Sequence, residues 1–403
     1  MNNDNFAGEY LQKFCWHRGY SNRSFGRALR TFLIFLTVFC GSAAPLQASD
    51  CEHPAPVCSV RASVFTISSF DPLGSAVRIG PDTLVTSRHA VADETDVTVF
   101  LPDGGRLKGV VLPTDYRGDI VLIEVADLPP GPVMDVSQVP AVDAGVKVHT
   151  VGADVAMRAI RAYPSGKIVM TPAEGHPLAR VHHSAYSQPG NSGGALVTET
   201  GVLVGIIASG GKGRNEAVPA AAIDELKARS GPAFSTASDK IGKAIRHCTL
   251  MLEDRRGTVS ALTQAEADRL ETACMGTGNR QYFDLAAEAF GASGLFGRSI
   301  EASEASLEQD PNSLNARMTA VVTYHLTGRF EQEIPHLRFL MQYIPDDPLV
   351  IRYGIQAGVW AGDTDIAATS FERLKASNPN LVPAAEKFIK SPPPRPSPRD
   401  LAR

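Results

Sequence analysis

The chain has 403 residues, with 39 Lys+Arg against 43 Asp+Glu for a formal net charge of −4, and 43% of it is hydrophobic. So even a charge balance excludes the basic surplus of a nucleic-acid binder, and so apolar a composition excludes a chain that stays disordered. At roughly 100–200 residues per domain, the length predicts two or three domains, each with room for its own core.

Residues 1–48 read as a targeting segment. Lys13, Arg18, Arg23, Arg27 and Arg30 outnumber Asp4 and Glu9, an apolar run fills 31–40, and small residues follow from Gly41 to Ala44 and again at Ala48. A basic start, a short apolar stretch and a small-residue exit predict a secretory signal peptide cut near Ala48. The run falls short of the about 20 apolar residues of a membrane span. The expected location is therefore periplasmic or secreted, with membrane contact only if the segment stays uncleaved.

Four cysteines remain after such a cut, Cys51, Cys58, Cys248 and Cys274. An even number in an exported chain predicts disulfides. Three connectivities are open, of which the local pairs Cys51–Cys58 and Cys248–Cys274 are the simplest. Neither pair has the Cys-x-x-Cys spacing of a structural zinc site, and no His or Asp cluster has metal spacing, so no metal or cofactor is expected.

Residues 49–229 read as one domain, which from about 59 to 225 is rich in Val, Ile and Gly. Turn signals such as Asp71-Pro-Leu-Gly74, Pro102-Asp-Gly-Gly105 and Tyr163-Pro-Ser-Gly166 separate short runs such as Asp96-Val-Thr-Val-Phe100 and Ile120-Val-Leu-Ile123. Many short strands at this spacing predict an all-β sandwich or barrel. Within them stand three chemical signals. Leu84-Val-Thr-Ser-Arg-His89 ends a strand in a histidine, Asp119 immediately precedes a buried strand, and Gln188-Pro-Gly-Asn-Ser192-Gly-Gly surrounds a serine with glycines.

A serine hydroxyl is a weak nucleophile until a neighbouring base takes its proton. His89 has a side chain that titrates near neutrality and can later return that proton to a leaving amine. Asp119 would fix the imidazole tautomer and stabilise the imidazolium. The glycines let the chain turn sharply, so that the N–H groups of Gly190 and Ser192 could form an oxyanion hole. The order His, Asp, Ser is that of the chymotrypsin arrangement.

With these residues in view, 59–225 resembles a trypsin-fold serine protease of the HtrA-type branch. Gly74-Ser-Ala-Val-Arg-Ile-Gly through His89, Leu101-Pro-Asp-Gly-Gly-Arg106 with Gly118-Asp-Ile-Val-Leu122, and Gly205-Ile-Ile-Ala-Ser209 with Ala217-Val-Pro219 carry the resemblance. It implies two six-stranded antiparallel β-barrels with the site in their cleft, catalytic residues at His89, Asp119 and Ser192, and oxyanion donors at Gly190 and Ser192. Two features depart from the branch. A helical half stands where a PDZ domain usually follows, and Val181-His-His-Ser-Ala-Tyr-Ser187 replaces a segment that normally holds an Asp. Six residues before the serine stands Tyr186, not the acid that Arg/Lys specificity needs. Tyr186, Ile207 and Ala208 are expected to line a modest apolar pocket for small-to-medium aliphatic side chains, with His182 and His183 on a solvated strand.

Ser230-Gly-Pro-Ala-Phe-Ser-Thr-Ala-Ser238 reads as part of a linker over 230–244, followed by a helical connector over 245–280 that holds Cys248 and Cys274. Thr263-Gln-Ala-Glu266 is a capping box for a helix start. Over 281–390, Gly294, Gly328 and Gly362 recur every 34 residues, and so do Pro311, Pro345 and Pro379. Glycine suits a tight turn between paired helices and proline ends the second of each pair. A 34-residue period of this kind resembles the tetratricopeptide repeat. The Pro-rich residues 391–403 are expected to be a disordered tail.

The chain thus reads as an exported serine endopeptidase acting on protein or peptide substrates, with a helical-repeat module for a substrate or partner protein. The rival reading is an inactive or latent pseudoprotease whose helical repeats act as an adaptor.

Overall fold

Short runs of β-branched residues form thirteen strands among the residues that the computed structural model describes, namely 51–137, 142–156, 159–210, 214–255 and 260–398. The expected signal peptide lies outside these residues. Strands β1 (Val64–Ser68), β2 (Gly74–Arg78), β3 (Thr83–Ser87), β4 (Asp96–Phe100), β5 (Arg106–Val111) and β6 (Ile120–Val125) close into an antiparallel barrel in the order β1-β2-β3-β6-β5-β4.

Seven further strands form the second sheet: β7 (Lys147–Ala153), β8 (Ile160–Ala162), β9 (Gly166–Met170), β10 (Val181–His183), β11 (Ala195–Thr198), β12 (Leu203–Ser209) and β13 (Asn215–Pro219). Their order is β11-β12-β13-β10-β9-β7-β8, and β7 also pairs back onto β11. Because β8 and β9 occupy successive stretches of the same β7 edge, the ring closes with six positions. Two six-stranded antiparallel barrels are the result.

Side-chain alternation along a strand explains how the barrels meet. On β6, Val121, Ile123 and Val125 fill the first barrel, while Ile120 and Leu122 face a separate core. On β12, where a register shift against β11 at Leu196/Val197 offsets the alternation, Val204 and Ile207 fill the second barrel, while Leu203, Ile206 and Ala208 enter that same separate core. This shared core, which also holds Val77, Val85, Val151 and Val197, cements one barrel to the other. A strand so buried on both faces has no polar face, which is why the sequence shows continuous apolar runs here.

Among the described residues three helices belong to this half: α1 (Ala55–Val60), the single turn α2 (Arg88–Val91) directly after β3, and α3 (Ala222–Ala228). Beyond it the chain is helical. Here α4 (Ser235–Asp254) and α5 (Gln264–Gly276) pack together, and α5 starts on the expected Thr263/Glu266 capping box. Helices α6 (Arg280–Ala292), α7 (Phe296–Gln309), α8 (Leu314–Leu326), α9 (Phe330–Tyr343), α10 (Pro348–Ala361), α11 (Thr364–Ser377) and α12 (Val382–Lys390) follow. The paired helices α6/α7, α8/α9 and α10/α11 start at the same 34-residue step as the glycines. Gly294, Gly328 and Gly362 stand at the turn within each pair with φ of 77°, 71° and 75°, a region that favours glycine.

Two expectations need correction. The linker over 230–244 is largely helix: Pro232–Phe234 is one 3-10 turn and α4 begins at Ser235. Its small polar residues are contact residues, since Ser238, Gly242, Ile245 and Cys248 form the buried face of α4. A Cβ at Gly242 would lie 2.6 Å from the Ala92 carbonyl oxygen, so the helix lies close against the first barrel. The described part of the tail is also not free of contacts. Trp360 Nε1 donates to the Pro393 carbonyl at 3.2 Å, and Arg395 makes a two-pronged bond to Glu331 at 2.6 and 2.7 Å. An extended proline segment loses little entropy on docking, and an indole and a carboxylate hold it here.

Cys51–Cys58 and Cys248–Cys274 form disulfides. The second ties α4 to α5 across 26 residues of sequence. Closing a loop of that size in the unfolded chain is worth about 3.5 kcal/mol. A Cys248→Ala/Cys274→Ala chain should lose that much stability in urea unfolding followed by far-UV circular dichroism. An unchanged midpoint would contradict the estimate. Among the described residues no helix is long and apolar enough to cross a membrane.

Candidate active site

The end of β3 delivers His89. Ser87 closes the strand and its hydroxyl donates to the Ile207 carbonyl of β12 at 2.8 Å, so the turn α2 starts at the seam between the barrels. Asp119 stands one residue before β6, which pairs with β3 so that Ser87 faces Ile120. That register brings the two side chains together. His89 Nδ1 lies 2.6 Å from Asp119 Oδ2, and the His89 backbone N–H donates to Asp119 Oδ1 at 3.1 Å.

Asp119 is fully buried and His89 is 9% exposed. Burial opposes ionisation of both, yet each charge favours the other. The Asp119 charge and hydrogen bond outweigh desolvation and raise the His89 pKa above its usual value. Burial likewise pushes the Asp119 carboxyl up, but the His89 ring, its hydrogen bond and the Arg180 charge hold it below the usual carboxylate range. A buried, oriented imidazole whose Nδ1 is bonded to a carboxylate leaves Nε2 to accept a proton.

Ser192 arrives from the second barrel. Its carbonyl accepts from the Ser75 N–H of β2 at 2.8 Å, and the next N–H, of Gly193, donates to the Ile207 carbonyl at 2.8 Å. A Cβ at Gly193, where φ is +81°, would collide with the Ser75 carbonyl and the Thr86 hydroxyl. Only glycine permits that approach, so this glycine seats the serine beside the β3 end that carries His89. No hydrogen bond joins His89 to Ser192 among the described residues. Such bonds are often long in unliganded sites and tighten with substrate.

The loop before Ser192 is braced from three sides. The Ser75 hydroxyl donates to the Gly190 carbonyl at 2.6 Å and accepts from the Ala153 N–H at 2.8 Å. Asn191 Nδ2 donates to the Ala153 carbonyl at 3.1 Å, and its Oδ1 accepts from the Gln188 N–H at 2.9 Å. Gly190 has φ of +92°. Neither the Gly190 N–H nor the Ser192 N–H has a hydrogen-bond partner among the described residues. Two free donors on a rigid loop can bind a developing oxyanion.

The expected pocket residues separate. Tyr186 is 50% exposed and stacks on Tyr163 with ring centroids 5.8 Å apart. Ile207 is buried inside the second barrel and Ala208 in the core between barrels. His182 and His183 do not lie on a solvated strand: both are 1% exposed. Burial drives the His183 pKa down to about 3, so it stays neutral.

His182 leads to what sequence reasoning missed, a buried polar junction between the second barrel and the helices. His182 Nε2 lies 2.9 Å from Asp310 Oδ2. Arg180 donates to Glu216 at 3.1 Å and to Ser209 at 2.8 Å. Arg280, at the start of α6, pairs with Glu216, with Asp310 at 3.3 Å and with Asp284 at 3.4 Å. Asn279 donates to Asp119 itself. The signal available was Glu216, a carboxylate inside the apolar strand β13, which needs a cation when buried. Nothing in the sequence named that cation.

Residues 74–206 match the family model described as a trypsin-like peptidase domain. The chain is similar to "Serine protease Do-like HtrA" of Lactococcus lactis, 26% identical over 138 residues, covering 31% of this chain and 33% of that one. It is also similar to "Probable periplasmic serine endoprotease DegP-like" of Pseudomonas fluorescens, 30% identical over 147 residues, covering 33% and 28%. The chain thus spans about a third of the length of these curated relatives. Among solved structures it is similar to "HtrA-type protease AlgW with tripeptide", at 24% identity and a TM-score of 0.38 over 43% of this chain and 62% of that one.

Proposed function

Since residues 74–206 carry a trypsin-like peptidase domain, we propose that the chain is an exported serine endopeptidase that hydrolyses peptide bonds through an acyl-enzyme. The observation that supports this most is the buried 2.6 Å His89–Asp119 bond beside a loop whose Gly190 and Ser192 N–H groups are free among the described residues. Ser192 Oγ attacks the scissile carbonyl while His89 Nε2 takes its proton. Asp119 holds Nδ1 protonated and offsets the imidazolium charge. The Gly190 and Ser192 N–H groups receive the oxyanion, each worth about 3–4 kcal/mol in the transition state. His89 then passes its proton to the departing amine, and water attacks the acyl-enzyme by the reverse steps.

Export is supported by the two disulfides, by the basic-then-apolar N-terminal segment and by the periplasmic name of one relative. The paired helices form a tetratricopeptide-like module for a substrate or partner protein.

A fluorophosphonate probe tests the reading, because it reacts only with a serine whose base and oxyanion donors are assembled. Wild type should label and Ser192→Ala should not. A folded wild type that stays unlabelled would overturn the endopeptidase reading in favour of a pseudoprotease adaptor.

A further inference from the structure

Three donors hold the Asp119 carboxylate, and one does not come from the barrels. Oδ2 is bonded by the His89 ring and Oδ1 by the His89 backbone N–H. Oδ1 also accepts from Nδ2 of Asn279 at 3.0 Å. Asn279 is the N-cap of α6, in the helical half, 160 residues further along the chain.

The placement of this amide is over-determined. Its Oδ1 accepts from the Gln281 N–H at 3.1 Å and from Arg180 Nη2 at 3.1 Å. A flipped amide would set an NH2 group against two donors, so the N–H must point at Asp119. The Asn279 backbone N–H donates to the Thr277 hydroxyl at 3.1 Å, which fixes the turn that carries it. Asn279 is 3% exposed.

The helical half also grips the histidine side of the pair. Arg88, the residue before His89, donates to the Ser238 carbonyl at 2.8 Å and hydroxyl at 3.0 Å on α4. Arg246 of α4 pairs with Asp93 at 2.5 Å and Glu94 at 2.6 Å, just past the turn α2.

We propose that Asn279 is a positioning residue for the Asp119–His89 pair, so that the helical module completes the catalytic geometry and does not only present substrate. The proposal rests on the serine endopeptidase reading for its effect on rate. A buried carboxylate that loses one of three donors is worse solvated and freer to rotate about Cβ–Cγ, and the imidazole it orients moves with it. The charged and titratable groups around the pair are Arg88 on its own turn, Asp71 between β1 and β2, Arg180 ahead of β10, and Tyr282 on α6. None of them takes the place of the Asn279 donor at Oδ1.

The test uses the intact chain with Asn279→Ala and the nearly isosteric Asn279→Asp. Fluorophosphonate labelling rates are measured against pH and probe concentration. The His89 Nδ1 proton is followed by NMR titration in a Ser192→Ala background, where no catalysis is needed. Asn279→Ala should slow labelling at least ~10-fold at saturating probe with the half-saturating concentration unchanged. Asn279→Asp replaces the donor with a carboxylate, and the negative charge it adds beside the pair favours the imidazolium. It should move the acid limb of labelling and the His89 titration to higher pH.

Labelling rates and a His89 titration that match wild type in both variants would overturn the proposal while leaving the endopeptidase reading intact. A folded wild type that does not label would remove the endopeptidase reading. The NMR titration would still decide the coupling, an unshifted His89 in Asn279→Asp overturning it. Should Asn279→Ala fail to fold, Asn279→Asp carries the test alone.

Discussion

On the proposed mechanism, Asp119→Asn should cut the turnover number by roughly 10⁴, the loss that follows when a triad histidine is held in the wrong tautomer. The side chain has the same shape, so the cause is the direction of its hydrogen bonds. Asp119 Oδ1 faces two donors, the His89 backbone N–H at 3.1 Å and Asn279 Nδ2 at 3.0 Å. An asparagine must leave its carbonyl oxygen there and turn its NH2 toward His89 Nδ1, 2.6 Å away in the wild type. Nδ1 then has to accept, the ring proton moves to Nε2, and the lone pair that should deprotonate Ser192 is gone. The pKa of His89 should fall as well, because burial still opposes the imidazolium and the anion that outweighed it is absent. Labelling kinetics and the NMR position of the ring proton check both halves. A loss under tenfold would mean that Asp119 does not set the tautomer.

How far this arrangement was legible follows from what each signal depends on. His89, Asp119 and Ser192 could be singled out as candidates because each sits in a local context, a strand end or a glycine turn, and because their order along the chain is informative. An all-β sandwich or barrel could be read from turn spacing, its division into two barrels only from the family resemblance, and the helix pairs from Gly294, Gly328 and Gly362, whose positive φ leaves a mark that survives divergence. What stayed hidden is contact between distant segments. Ser238 and Gly242 look like linker residues until α4 is seen to lie against Ala92 and Arg88. His182 looks like a surface histidine until Asp310 is placed 2.9 Å from it. Small and polar residues carry no periodic apolar signal, so an interface built from them is silent in sequence. The choice between the Cys pairings was open for the same reason.

That silent interface is where the largest loss of stability is expected. Arg280 is 1% exposed and is the cation shared by Glu216, Asp310 and Asp284, with a further bond to the Ser313 hydroxyl at 3.0 Å. Removing one partner from a buried ion network leaves its counter-charges uncompensated, at about 3–5 kcal/mol. Arg280→Ala should lose that much, with Arg180 and His182 keeping partial hold of Glu216 and Asp310. The pH dependence gives the sign a separate check. Burial alone would raise the Glu216 carboxyl, but the Arg280, His182 and Arg180 charges hold it far below its ordinary 4.5. Its stabilisation is therefore complete above pH 4.5 and lost as pH falls toward the folded value. Asp284 works in the opposite sense, since burial raises its carboxyl to about 6 and its ionisation costs the folded state as pH rises from 3.8 through that value. The stability gap between wild type and Arg280→Ala should accordingly narrow below pH 4.5, where Glu216 becomes easier to protonate in the variant. Urea unfolding of both chains across that range measures it. A gap that stays constant with pH would show that Arg280 acts through packing, with its charge contributing little to the joint between barrel and helices.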